Sequence, residues 1–191
     1  MTCHGGFHLE EDLRREWYNP ELILKKAGLK SGMTFVDVGC GDGFFSILAS
    51  KIVGSSGKVY SVDIDPKAIQ RLEEKASKKS LTNINAVSGP SENTVFCDNC
   101  ADMVFYSMVL HDFKNPAQVL KNANLMLKSS GTLINLDWKK MKMSFGPPEE
   151  IRFSEETATA LISKQGFIIK NVESAGPYHY ILTAKPKFLI K

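Results

Sequence analysis

Long apolar runs are missing from this 191-residue chain. None approaches the ~18–20 residues that a membrane helix needs, so no membrane span is expected. Charge of one sign is missing too: 24 Lys and Arg stand against 21 Asp and Glu, a formal net charge of +3. So small an excess selects neither nucleic acid nor an anionic membrane, and no nucleic-acid partner is expected. Cysteine is sparse, with four in the chain, too few for a disulfide framework. A thiol-reduced, cytoplasmic protein is the expectation. The opening Met1-Thr2-Cys3-His4-Gly5-Gly6 has no basic segment followed by an apolar one, so no signal peptide is read. Internal repeats, low-complexity stretches and a linker are also absent. What remains, 43% hydrophobic and 24% charged, is ordinary globular composition. Residues 1–191 are read as one domain, with a core at 20–191 and an N-terminal segment at 1–19.

Periodicity divides that core into alternating elements. Leu9 to Glu16 suits a short helix, and Asn19-Pro20 starts another that Gly28 stops. Thr34–Val38 is short, β-rich and apolar, as a buried strand is. Phe44–Val53 has helical spacing, Lys58–Val62 reads as a second strand, and Pro66 opens a helix to about Lys79. Asn83–Ser88, Asp102–Ser107 and Gly131–Leu136 are further strands, with a helix over Pro116–Leu127. Ser154 caps a last helix ended by Gly166. Phe167–Ser174 and Tyr178–Ala184 are joined tightly enough to be antiparallel. Alternation of this kind predicts an α/β fold, a parallel sheet with helices on both faces.

The densest signal is Val36-Asp37-Val38-Gly39-Cys40-Gly41-Asp42-Gly43, between the first strand and its helix. Glycines there allow a sharp turn and the close approach of a ligand. The carboxyl end of a strand is also where open α/β sheets bind ligands. Asp63 follows Gly43 by twenty positions and ends the second strand, where a carboxylate can accept ribose hydroxyls. Together they mark a nucleoside-containing cofactor. The dinucleotide fingerprint G-x-G-x-x-G would need glycine at 44, where Phe stands, and no Gly-Lys-Ser/Thr phosphate loop occurs.

Val36–Gly43 resembles the first motif of the class I S-adenosylmethionine-dependent methyltransferases. Val59-Tyr60-Ser61-Val62-Asp63-Ile64-Asp65-Pro66 resembles their second-strand motif. Gly89–Glu92 through Asn99–Asp102, Tyr106–His111 and Lys128–Leu133 are similar to later motifs in order and spacing. The resemblance covers roughly residues 20–184 and is nearest the ubiquinone/menaquinone-type small-molecule branch. It implies a Rossmann-like, doubly wound seven-stranded sheet of order 3-2-1-4-5-7-6, with strand 7 antiparallel. It implies S-adenosylmethionine as cofactor, S-adenosylhomocysteine as product and a small-molecule methyl acceptor. It also implies that Gly39, Cys40 and Gly41 run along the methionine part. Asp37 would order the loop and meet the amino group, and Asp63 would bind the ribose. Ile64 would lie on the adenine, Ser91 and Glu92 would border its edge, and Tyr106 would close the pocket. Many relatives carry Asp where Pro90 stands here; Ser91, Glu92 or stacking must then serve the adenine amino group.

A sulfonium methyl needs a nucleophile held in line and, for some acceptors, a base. Tyr106, His111, Asp112, Asp137 and Trp138 follow or end strands 4 and 5, and His111 is the candidate base, with Tyr106 beside it. Asp112 either orients His111 or caps a turn. Cys97-Asp98-Asn99-Cys100 reads as a turn; a zinc clip would need Cys3, His4 or His8, and no metal site is expected. Lys139, Lys140 and Lys142 read as a solvated loop. Residues 1–19 and 138–153 supply aromatics and methionines either for a substrate lid or for core packing. Two other readings stay open: a nicotinamide-type oxidoreductase, and a silent S-adenosylmethionine-binding protein.

Overall fold

The computed structural model describes residues 11–187. The N-terminal segment contributes α1 (Glu11–Trp17), and the core opens with α2 (Pro20–Lys26). Strand and helix then alternate through β1 (Thr34–Val38), α3 (Phe44–Val53), β2 (Lys58–Asp63), α4 (Pro66–Lys78) and β3 (Ile84–Ser88). The second half runs β4 (Ala101–Ser107), α5 (Pro116–Met126), β5 (Leu127–Trp138), α6 (Glu155–Lys164), β6 (Phe167–Ala175) and β7 (His179–Pro186). Single 3-10 turns lie at Ser91–Asn93, Leu110–Asp112 and Glu149–Ile151.

The helices start where side chains can satisfy their first amide groups. Asn19, Asp65, Asn115 and Ser154 each accept a backbone N–H from the first turn of α2, α4, α5 and α6. The first three are followed by proline, whose missing N–H costs nothing there.

All seven strands form one sheet of order β3-β2-β1-β4-β5-β7-β6. β1 pairs in parallel with β2 and β4, and β7 runs antiparallel to both β5 and β6. The expected topology is therefore the observed one. Two apolar layers flank the sheet. Phe35, Phe105, Ile134 and Leu136 pack with α2 and α3 on one face. Val36, Val104, Tyr106 and Leu133 pack with α5 and α6 on the other. Strand alternation separates these sets.

β5 is longer than the sequence suggests at both ends. The backbone passes from α5 into the strand at Leu127, and a bulge absorbs Lys128–Gly131 between the pairs Ala101–Leu127 and Met103–Thr132. Exposed serines in a Ser-Ser-Gly run look like a turn, yet here they belong to a bulged edge of the ladder. The expected helix from Leu9 is observed from Glu11. Phe7, Cys3, His4 and His8 lie outside the described residues.

Candidate active site

The chain reverses its direction of sheet growth between β1 and β4, which leaves a crevice at their carboxyl ends. A cavity of about 580 Å³ occupies it. That is within the range of small-molecule and cofactor sites, ~300–1,000 Å³.

One end of the cavity is built by the glycine turn. Gly39, Gly41 and Gly43 have φ of 71°, 54° and 86°, a region that residues with a Cβ enter only at a cost. The amides of Gly39 and Cys40 both donate to the Val62 carbonyl, at 2.8 and 3.0 Å, so β2 carries the loop. Asp63 fixes its tip: Oδ2 accepts the Gly41 amide at 2.8 Å, and Oδ1 accepts the Asp65 amide at 2.9 Å. A carboxylate has about four lone-pair positions, so Asp63 retains acceptor capacity toward the cavity it lines. A Cβ on Gly41 would meet no protein atom within 4 Å. That side of the residue faces open space in a cavity it lines.

Asp37 is buried beneath the loop and lines the cavity. Its Oδ2 accepts the Ser46 hydroxyl at 2.6 Å, and Ser46 in turn meets Ser61 at 2.9 Å. Burial pushes the Asp37 carboxyl up to about 6, against the Ser46 hydrogen bond and the Arg14 charge that pull it down. Cys40 also faces the cavity, but burial and the nearby carboxylates raise its thiol well above the ordinary range. It is a wall, not a nucleophile.

Ile64 is 56% exposed at the mouth, an apolar plate beside Asp63. Pro90, Ser91 and Glu92 line the same end. Asn122 on α5 pins their turn by donating to the carbonyls of Ser91 and Glu92 at 3.0 and 2.8 Å. The Glu92 carboxylate accepts the Asn115 amide at 3.3 Å.

His111 lines the same cavity from the 3-10 turn after β4. Its Nδ1 lies 2.9 Å from Asp137 Oδ1, and both side chains are almost wholly buried. The same Asp137 oxygen accepts the Trp138 amide at 2.8 Å, which fixes the carboxylate. Burial pulls the His111 pKa down, but the Asp137 charge, its hydrogen bond and the Asp112 charge outweigh it, and the net shift is upward. Asp112 Oδ1 stands 3.7 Å from Nε2. Orientation of the imidazole thus comes from β5, a partner 26 positions away that local sequence does not reveal.

Tyr106 requires a correction. Its side chain is fully buried against the α5 face, and its hydroxyl donates to the Val119 carbonyl at 3.2 Å. It does not line the cavity. Alternation sends residue 106 into the core layer, and it is the next residue, Ser107, that lines the crevice.

Two arginines were not singled out in the sequence. Arg14 of α1 reaches the cavity, donating to Ser107 Oγ at 3.0 Å and Tyr18 Oη at 3.1 Å. Its guanidinium lies 4.0 Å from the Phe44 ring centroid. Arg152 is buried and donates to the carbonyls of Pro147, Met141 and Phe145 at 2.7, 2.9 and 3.0 Å, organising the loop after β5. That loop places Pro147, Pro148 and Ile151 on the cavity, which Phe44, Phe45 and Trp138 also line. Trp17 closes the arrangement from α1, with Trp138, Phe145, Tyr178 and His179 at 5.3–5.7 Å between ring centroids. Its carbonyl sits against Gly176 in the β6–β7 turn, where a Cβ would overlap it. Neither arginine belongs to an apolar period, which is why spacing alone passes over them.

Cys97 and Cys100 are paired side by side before β4, and neither lines the cavity. Their Cα atoms are 5.9 Å apart, a span that a bridge fits. Among the described residues, no group of three or more His, Cys, Asp or Glu could hold a metal ion. Lys139, from the basic run, donates to the carbonyls of Gly176 and Pro177.

The methyltransferase-domain family model matches residues 29–176. A demethylmenaquinone methyltransferase of Staphylococcus aureus is 32% identical over 115 residues, covering 60% of this chain and 47% of that protein. One from a Geobacillus strain is 29% identical over 117 residues, 61% of this chain and 50% of its own. The chain thus spans about half the length of these curated relatives. An S-adenosylmethionine-dependent methyltransferase from Aquifex aeolicus is 33% identical with a TM-score of 0.85, covering 90% of this chain and 91% of the other. A Pyrococcus horikoshii protein, 23% identical with a TM-score of 0.77, shares the fold over 95% of this chain and 93% of its own. With the glycine turn, Asp63 and the 3-2-1-4-5-7-6 sheet in place, the chain belongs to the class I S-adenosylmethionine-dependent methyltransferases, and its cofactor is S-adenosylmethionine.

Proposed function

We propose that this chain transfers the methyl group of S-adenosylmethionine to a small-molecule acceptor, with His111 as the base. The observation that carries the reading is one cavity lined by the glycine turn, Asp63 and His111, with Asp137 hydrogen-bonded to the histidine.

The residues present fit the cofactor. The open space over Gly41 admits it, Asp63 has acceptor capacity for ribose hydroxyls, and Ile64 offers a surface for adenine. Ser91 and Glu92 border the adenine edge in this reading, and Gly39 and Cys40 follow the methionine part. Asp37 holds the loop through Ser46. When bound, the cofactor supplies an electrophilic sulfonium methyl. The acceptor would lie among Trp138, Pro147, Pro148 and Ile151. His111 gives its Nδ1 proton to the hydrogen bond with Asp137, which leaves the Nε2 lone pair to take a proton from the acceptor. Asp137 then stabilises the imidazolium that forms. Tyr106 is left as a core residue.

The reading treats residues 1–191 as one domain in which α1 covers the cavity. It keeps the acceptor to small molecules and not nucleic acid, which the small net charge supports. It places the protein in the cytoplasm; among the described residues, no helix is long and apolar enough to cross a membrane.

Parallel calorimetric titration with S-adenosylmethionine, S-adenosylhomocysteine and NAD tests the reading. Saturable binding of the first two, lost in Asp63→Ala, is the expected result. Binding of NAD alone would overturn it in favour of an oxidoreductase. Turnover that survives unchanged in His111→Gln would remove the base.

A further inference from the structure

We propose that Arg14 is a cofactor-binding residue: its guanidinium takes the carboxylate of the cofactor's amino-acid end, with Asp37 opposite as the counterpart for the ammonium. The inference rests on the cofactor reading above and adds a residue from α1 to it.

The argument begins with direction. Asp63 ends β2, Asp37 lies in β1 and Ser107 ends β4, and these strands are adjacent in the order β2-β1-β4. A ligand whose ribose rests on Asp63 and whose chain runs over Gly39–Gly41 must therefore extend across β1 toward β4. The groups that line the cavity there are Asp37, Phe44, Ser107 and Arg14.

Charge follows. Among the described residues, Arg14 has no carboxylate within 4.0 Å, although Arg15 beside it pairs with Glu21 at 3.0 Å. A guanidinium has five N–H donors, and Arg14 directs one to Tyr18 and one to Ser107, both neutral oxygens. The remaining three have no partner among the described residues. Phe44 holds the plane of the group from one side, so the fork is oriented before any ligand arrives. A planar, pre-oriented fork with spare donors is suited to bidentate recognition of a carboxylate. Asp37 is the acid on the same stretch of wall, and its carboxyl feels the Arg14 charge. An α-amino acid presents one cation and one anion a few bonds apart, so it matches this pair of opposite charges. A sulfonium ligand without the amino-acid part would match neither.

The test is calorimetry on the full chain with two stable nucleosides. S-adenosylhomocysteine has the amino-acid end; 5′-methylthioadenosine keeps the adenosine and thioether but lacks it. In Arg14→Gln, S-adenosylhomocysteine should bind ~10–100-fold more weakly, the effect of losing a charge-assisted, two-point contact. Methylthioadenosine should bind as it does to the unaltered chain. Arg14→Lys, a point charge without the fork, should recover part of the loss. Equal weakening of both nucleosides would show that Arg14 merely supports the fold, and would overturn the proposal. Unchanged S-adenosylhomocysteine affinity in Arg14→Gln would overturn it too, and would assign the guanidinium to an anionic acceptor. If the unaltered chain binds neither nucleoside, the cofactor reading fails first and this one with it.

Discussion

His179 makes the stability of this protein sensitive to acid in a way that can be isolated. The residue begins β7, is fully buried, and neither ring nitrogen has a hydrogen-bond partner among the described residues. Its neighbours are the rings of Trp17, Tyr18 and Trp138, at 5.5, 5.3 and 4.3 Å. Burial, followed by the charges of Arg14, Lys139 and Arg152, pushes its pKa down from 6.5 to about 3. The folded state therefore holds a neutral imidazole that the unfolded chain protonates below pH 6.5. A depressed folded pKa means that stability is present above the unfolded pKa and is lost as pH falls. Between pH 7 and pH 5 the loss amounts to about 2 kcal/mol, because the unfolded chain binds a proton and the folded chain does not. His179→Phe keeps an aromatic ring in the box and removes the titration. Urea unfolding at pH 7 and pH 5 should show the variant losing about 2 kcal/mol less than the unaltered chain over that interval. The slope with pH carries the test, so a shift in absolute stability from the larger ring does not matter. Equal pH dependence in the two proteins would refute the claim that His179 stays neutral and unpaired.

Further outcomes follow from the site. Gly43→Ala puts a Cβ at φ 86° into Leu72, so it should cost about 2–4 kcal/mol by strain and overpacking. Gly41→Ala, facing open space at φ 54°, should cost only about 1–2 kcal/mol in stability while weakening nucleoside binding; chemical denaturation and calorimetry separate the two. Arg152→Met removes the donors to Pro147, Met141 and Phe145, and limited proteolysis should cut residues 139–152 faster, with the rest of the chain protected. Asp137→Asn takes away the charge that raises the His111 pKa, so the acid limb of the transfer rate against pH should move to lower pH. His111→Gln should lower the maximal rate by about 10²–10⁴-fold.

The parts of the fold written in local chemistry were legible beforehand. Gly39, Gly41 and Gly43 between an apolar strand and a helical period mark the first turn, because only glycine takes those backbone angles cheaply. Asn19, Pro66 and Ser154 announce helices because capping and the fixed proline φ act within the first turn. Features that depend on distant partners were not legible. His111 was a candidate, but its pairing with Asp137 joins a turn after β4 to the end of β5. Arg14 sits in a run of charges with no period, and only docking of α1 beside Ser107 gives it a place. Tyr106 was misassigned because a motif match marks the end of a strand without resolving which of two neighbours faces the ligand. The start of β5 was missed because a bulge tolerates polar residues that a straight strand rarely carries.

The seat of Trp17 against Gly176 has a consequence for the order in which the protein is made. Strands β1, β2 and β4 and their glycine turn all lie before residue 108, well ahead of the β6–β7 hairpin in the chain. α1 precedes all of them in the chain, yet the turn at Gly176 and the rings of Tyr178 and His179 that receive Trp17 follow β5 and α6. Helix α1 must wait for the β6–β7 hairpin. The roofed form of the site, with Arg14 held in place, therefore depends on the β6–β7 hairpin, although the glycine turn and Asp63 do not touch it.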